Sequence, residues 1–217
     1  MSKLKPELQS MNFVLVGDFN PKIFHPFWFS HQRLISEHEG NEAKVEVVHS
    51  DVSIFNLEWV RLQVTRERFD ISTTQEPYFE VLRDLVIGTF QTLEHTPVKM
   101  LGINHQMHFA MKNEDEWHAL GHKLAPKEAW NKVLKSPGMQ KISIKGLRTD
   151  GLKGNVTASV EPSSKIKHGV FFNINDHYEV NDSEGKSGVL EIITIIKERW
   201  VESTERSRSI PLAILEG

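Results

Sequence analysis

"AKVEVVHSDVSIFNLEWVRLQVTRERFDIST" (43–73) is the stretch on which the fold turns. Val45 and Val47, Val52 and Ile54, and Leu57 and Trp59 recur at every second residue, and Leu62 and Val64 continue on the other phase. That period belongs to strands with one buried face. His49-Ser50-Asp51 and Thr65–Arg68 supply the turns. The period then changes. In "TTQEPYFEVLRDLVIGTFQTLEHTP" (73–97), Leu82, Leu85, Val86, Phe90 and Leu93 fall three and four residues apart, which predicts a helix with one apolar face. Pro77 suits its first turn and Pro97 its end. "NFVLVGDF" (12–19) before this region and "VKMLGINHQMHFAM" (98–111) after it read as further strands.

The second half reads in a similar way. "MQKISIKGLRTDGLKGNVTASVEP" (139–162) holds two strands about Asp150-Gly151, a strong turn dipeptide. "KHGVFFNINDHYEV" (167–180) reads as a third strand turning into a fourth at Asn175-Asp176, followed by a loop, "NDSEGKSG" (181–188). Val189, Ile192, Ile193, Ile196 and Trp200 form a helical stripe, and "SIPLAIL" (209–215) reads as a final strand. "RERFDI" (66–71) and "NDHYEV" (175–180) thus sit at corresponding places. Superimposing them puts Phe69 on Tyr178. One added loop residue then puts Leu82 on Ile192, Leu85 on Ile195, Val86 on Ile196, Phe90 on Trp200 and Met100 on Ile210.

The fold expected is therefore α+β: a mainly antiparallel, twisted sheet built from two pseudo-symmetric strand-rich halves, each with one long helix packed on the sheet. A few strands under one helix leave an open edge, and two such units sharing a sheet remove it and merge two small cores. The halves are 1–111 and 139–217, sharing one core, with 112–138 as a helical connector around Trp117, Leu120, Leu124, Trp130 and Val133. An aromatic-rich insertion, 20–42, interrupts the first half.

Composition narrows the function classes. Among 217 residues, 39% are apolar and 25% charged, with a formal net charge of −3, which suits a globular protein and gives no global pull toward nucleic acid or anionic lipid. There is no cysteine, so thiolate nucleophiles, zinc fingers and disulfides are excluded. No apolar run approaches bilayer length and no secretory leader is evident, so a cytoplasmic location is expected. The charge is uneven: between Lys123 and His168, ten basic residues stand against three acidic ones, a local +7. Such a segment suits an acidic ligand or partner, or lysines guarding a sheet edge.

No catalytic constellation emerges. His118 and His122 are one helical turn apart and, with His105 or His108, could hold a metal, but "HALGH" lacks the glutamate of H-E-x-x-H. There is no G-x-S-x-G elbow. "GLRTDGLKG" (146–154) fits a hairpin better than a phosphate loop. Asp176, Glu179, Asp182 and Glu184 lack the order of a calcium loop. No cofactor is expected. The pattern "F-x-L-x-W-x-x-L-x-V-T-x-x-R-F" (55–69), with a helix, then "GIN" (102–104) and a second strand–helix unit, resembles an uncharacterised, sporadically distributed group of prokaryotic proteins. That resemblance implies a bacterial or archaeal source and carries no catalytic residue with it.

The reading that follows is a noncatalytic protein-binding or assembly subunit acting on a protein partner or on itself. Phe24, Phe27, Trp28 and Phe29 of "IFHPFWF" (23–29) are its candidate contact residues. The alternatives are a small-ligand sensor using the groove between the two halves and a metal-dependent enzyme using the histidine cluster.

Overall fold

The computed structural model of the chain describes residues 4–181 and 186–217. Among them are nine strands: β1 (Leu8–Gly17), β2 (Lys44–Val48), β3 (Val52–Asn56), β4 (Arg61–Thr65), β5 (Arg68–Thr73), β6 (Val98–Ala110), β7 (Ile142–Leu147), β8 (Gly154–Pro162) and β9 (Gly169–Glu179). They form a single sheet in the order β2-β3-β4-β5-β1-β6-β9-β8-β7. Every neighbouring pair is antiparallel. The α-helices are α1 (Pro26–His31), α2 (Glu37–Glu42), α3 (Phe79–Thr92), α4 (Glu114–Leu124) and α5 (Lys186–Glu216). None is long and apolar enough to cross a membrane.

The registers show which phase of the alternation is buried: on β4 it is Leu62 and Val64, as the sequence pattern predicts, but on β3 it is Ser53 and Phe55, while Val52 and Ile54 lie on the other face and Val45 of β2 is exposed. Across the sheet, Phe55 lies opposite Leu62, Leu62 opposite Ile71, Ile71 opposite Phe13 and Phe13 opposite Ile103. These side chains share one face, and all are buried. The cluster they form also takes in Leu82, Val86 and Phe90 of α3 and Ile192, Ile196 and Trp200 of α5. A second cluster, with Met107, Phe109, Val160, Val170 and Phe172, lies farther along β6, β8 and β9, where Ile210 and Ile214 of α5 reach it. The opposite face is polar along its middle row, from Ser72 through Asn12, Asn104 and Asn175 to Thr157. Antiparallel sheets commonly present one such face to water.

Four sequence readings are corrected. First, Asn175-Asp176 makes no turn: β9 runs through it as one strand. Each side chain has its own partner on its own face. Asn175 donates to Asn104 at 2.6 Å, and Asp176 pairs with Arg148 and with Arg206. Tertiary partners therefore overrode a local turn preference. Second, "SIPLAIL" is the last part of α5, not a strand. Ile210 and Ile214, one helical turn apart, sit on the second cluster, so the apolar pattern had been helical all along. Pro211 removes one donor from the helix interior, and burial of its neighbours outweighs that loss. Third, it follows that Met100, in β6, and Ile210, in α5, do not correspond. The reading of 57–60 as continuous strand also gives way to a turn, in which the Leu57 N–H donates to the Val60 carbonyl at 2.8 Å. Of the loop 181–188, residues 182–185, including Asp182 and Glu184, lie outside the described residues.

Candidate functional site

The site builds up from α4 and the chain that follows it. Asn113 caps the helix, its side-chain oxygen accepting the Glu116 N–H at 2.8 Å. Glu114, Asp115 and Glu116 occupy the first turn and His122 and Lys123 the last, the charge order the helix dipole favours. The Trp117 indole donates to the Gly169 carbonyl at 3.0 Å and the Lys123 ammonium to the Ile214 carbonyl at 3.2 Å, tying α4 to the start of β9 and the end of α5. Beyond Leu124 the chain has little regular structure until β7, apart from a 3-10 turn at Trp130–Lys132.

Two adjoining cavities result. One, of 610 Å³, is floored by Trp117, Leu120, Met139 and Val170, with His118 and His122 among its polar walls. The other, of 530 Å³, shares Lys127, Pro137, Gly138 and Met139 with it and extends past Trp130 and Leu134 to Lys141, the residue before β7. Apolar side chains in this part of the chain are unusually bare. Trp130 is 54% exposed, Val133 75%, Leu134 53%, Ile144 62% and Leu147 88%. Lys132, Lys135, Lys141 and Lys145 are exposed among them. The basic segment read from sequence is therefore also an apolar one, and it ends on the terminal strand of the sheet.

The histidines separate. His118 faces Glu114 at 3.6 Å and lines the larger cavity with His122. His105 lies on the buried face between the rings of Phe79 and Trp200, and His108 lies on the other face against Phe171, 2.8 Å from the Ser163 hydroxyl. Among the described residues, no group of three histidines or carboxylates is placed to hold a metal ion. Burial pushes the His105 pKa down to about 4, with Arg208 adding to the effect and Asp176 opposing it.

The aromatic insertion is divided. Phe24 and Phe29 are buried, Phe24 with its ring centre 5.5 Å from that of Phe69 and Phe29 with its own 5.6 Å from that of Phe55. The buried Ser53 hydroxyl donates to the Phe24 carbonyl. Trp28 is half-buried at 4.9 Å from Phe29, and Phe27 is 71% exposed beside His25 and His31. The groove between α3 and α5, of 410 Å³, is lined chiefly by Arg83, Asp84, Gln91 and Lys197.

A buried charge network was not foreseen. Arg148 pairs with Asp150 and Asp176, and Arg206 reaches Asp176 at 2.5 Å and Glu202 at 2.7 Å. The side chains of Arg148, Asp150 and Asp176 are at most 5% exposed. Burial opposes the charge on Arg148, but its hydrogen bond to Asp150 and the charges of Tyr178 and Asp176 outweigh it and raise the pKa. Burial likewise works against the Asp150 carboxylate, and hydrogen bonds from Arg148 and the Leu152 N–H keep its pKa below the ordinary value. Neither cavity beside α4 reaches these groups. They join the β7–β8 loop to β9 and α5. The sequence signal was faint: an arginine two residues before an Asp-Gly turn.

Compared with protein-family models and with curated proteins, the chain matches none.

Proposed function

We propose that this protein is a noncatalytic protein-binding module whose contact surface is the flank formed by the segment 130–141 and strand β7. The observation that carries the reading is the exposure of five large apolar side chains between residues 130 and 147: Trp130 and Leu134, which line a 530 Å³ groove, and Val133, Ile144 and Leu147, each more than half exposed. Exposed apolar surface gathered in one place and interspersed with charge is the usual mark of a protein contact. Of the aromatic insertion, Phe27 alone offers comparable exposure.

A fold built as two related halves supports this reading. We take β1, β3, β4, β5 and α3 as one copy and β6, β7, β8, β9 and α5 as the other, with the local dyad between the antiparallel β1 and β6; this moves β6 (Val98–Ala110) from the first half, 1–111, where the sequence reading placed it, to the second. The order of elements supports it, because each half runs from a central strand through an insertion to a three-strand meander and then a helix. The insertions fill the same slot. In the first half α1, α2 and β2 occupy it, and β2 covers the outer edge of β3. In the second half α4 and the segment to 141 occupy it, and β7, the counterpart of β3, keeps its outer edge free. The difference between the copies is what makes one edge a binding surface.

The test is site-specific cross-linking in the cells that make the protein. A photoreactive residue at position 134 or 144 is expected to give discrete adducts with another protein, while one at Gln63, exposed on the far part of the sheet, gives none. Equal labelling at all three positions, or none at 134 and 144, overturns the reading. The 610 Å³ cavity beside His118 and His122 favours a second reading, a small-ligand sensor, although it lies beside α4 and not between the halves.

A further inference from the structure

We infer that the partner at this flank is an extended, acidic segment that adds to the sheet as a tenth strand beside β7. The inference rests on the protein-binding reading above and specifies its occupant.

The two edges of the sheet are built differently. β2 is five residues long, its register with β3 slips between Val45 and Val47, and Glu46 is occupied by Arg61. A short, irregular strand is how sheets discourage further pairing. β7 is one residue longer and regular. Its six residues pair with β8 without a slip, from Ile142 opposite Val160 to Leu147 opposite Asn155. Among the described residues its only neighbour in the sheet is β8, so its outward backbone groups have no strand beside them. Ile144 and Leu147, on opposite faces, are 62% and 88% exposed. An added strand would place alternate side chains over each of them, and the groove that runs to Lys141 would take a side chain from its end.

Charge decides the kind of strand. Lys145 is exposed on the edge strand, with Lys132 and Lys135 exposed in the segment before it, while Lys141, the residue before β7, pairs with Glu161 at 2.8 Å and keeps more than half of its side chain exposed. A second copy of β7 laid antiparallel against the first would bring these lysines toward one another, and like charges opposed across a strand pair are unfavourable. An acidic strand would be drawn in by the same field. Lysines alone would read as protection of the edge, but protection does not leave Ile144 and Leu147 bare beside them.

The experiment uses fluorescently labelled eight-residue peptides and the full chain. The probes are an alternating Glu/Val peptide, its Lys/Val counterpart, and the Glu/Val peptide with N-methyl groups on alternate amides, which remove backbone donors without changing charge. The acidic peptide is expected to bind, to weaken steadily with added salt, and to lose at least tenfold in affinity on N-methylation. The Lys/Val peptide is expected to bind at least tenfold more weakly, with the preference inverted by the exposed double change Lys141→Glu, Lys145→Glu. Equal binding of the N-methylated peptide overturns strand addition, and equal binding of the basic peptide overturns the acidic occupant. Cross-links at 134 and 144 without peptide binding overturn this inference while leaving the protein-binding reading intact; absence of both overturns both.

Discussion

The guanidinium carbon of Arg148 lies 3.7 Å from the centre of the Tyr178 ring, with Asp150 and Asp176 both paired to the same guanidinium. A cation held over an aromatic face and between two carboxylates is neutralised where it sits, and its planar fork can serve both acids at once. Through this contact the β7–β8 loop is fastened to β9, so the strand proposed as the binding edge is positioned from behind by buried charge.

Removing that cation leaves Asp150 and Asp176 buried, with Arg206 as the guanidinium that still reaches them. Arg148→Met is expected to destabilise the protein by about 3–5 kcal/mol in urea denaturation. Arg148→Lys is expected to recover little, because an ammonium cannot span both carboxylates.

Stability should fall with acid through His105. Its pKa is about 4 in the folded protein because burial disfavours the charged ring, against about 6.5 when unfolded. Above pH 6.5 the ring is neutral in both states and costs nothing. Between pH 6.5 and 4 the unfolded chain takes up the proton and the folded one does not, so stability declines by up to about 1.4 kcal/mol per pH unit. Denaturation midpoints of wild type and His105→Phe, compared across that window, are expected to diverge as pH falls.

The aromatic insertion should divide energetically as it divides structurally. Phe24→Ala, at a site 1% exposed, is expected to cost about 3–5 kcal/mol. Phe27→Ala is expected to stay within about 0.5 kcal/mol of wild type. Thermal or chemical denaturation distinguishes the two.

Gly154 opens β8 with φ of +132°, and a Cβ there would lie 2.0 Å from the His177 carbonyl oxygen. Gly154→Ala is expected to destabilise by more than about 2 kcal/mol, since the clash is with backbone and the conformation is one that side chains rarely adopt. The same change at Gly138, where a Cβ meets nothing within 4 Å, is the control.

Strands β4 and β5 were legible because one buried face set the phase on each: Leu62 and Val64 alternate on β4, Phe69 and Ile71 on β5, and all four are buried; on β3 the apolar Val52 and Ile54 suggested the wrong phase, because the buried positions are Ser53 and Phe55. The helical stripes of Leu82 to Phe90 and Ile192 to Trp200 were legible for the corresponding reason at a period near 3.6. Asn175-Asp176 and "SIPLAIL" misled because their local chemistry, a turn dipeptide and an apolar run containing proline, was overruled by partners distant in sequence. The candidate site was half visible. The lysines between 123 and 168 announced a basic segment, but exposure of Ile144 and Leu147 depends on β7 being the last strand, and strand order is not written in periodicity.

The most direct test of the central claim is amide hydrogen exchange along residues 142–147. In the isolated protein, alternate amides of β7 face outward and are expected to exchange far faster than those that bond to β8. Saturation with the acidic peptide is expected to slow those outward amides selectively, leaving β2 at the opposite edge unchanged. Uniform protection of β7 without peptide, or no selective slowing at saturation, would contradict an open strand edge as the place where this protein meets its partner.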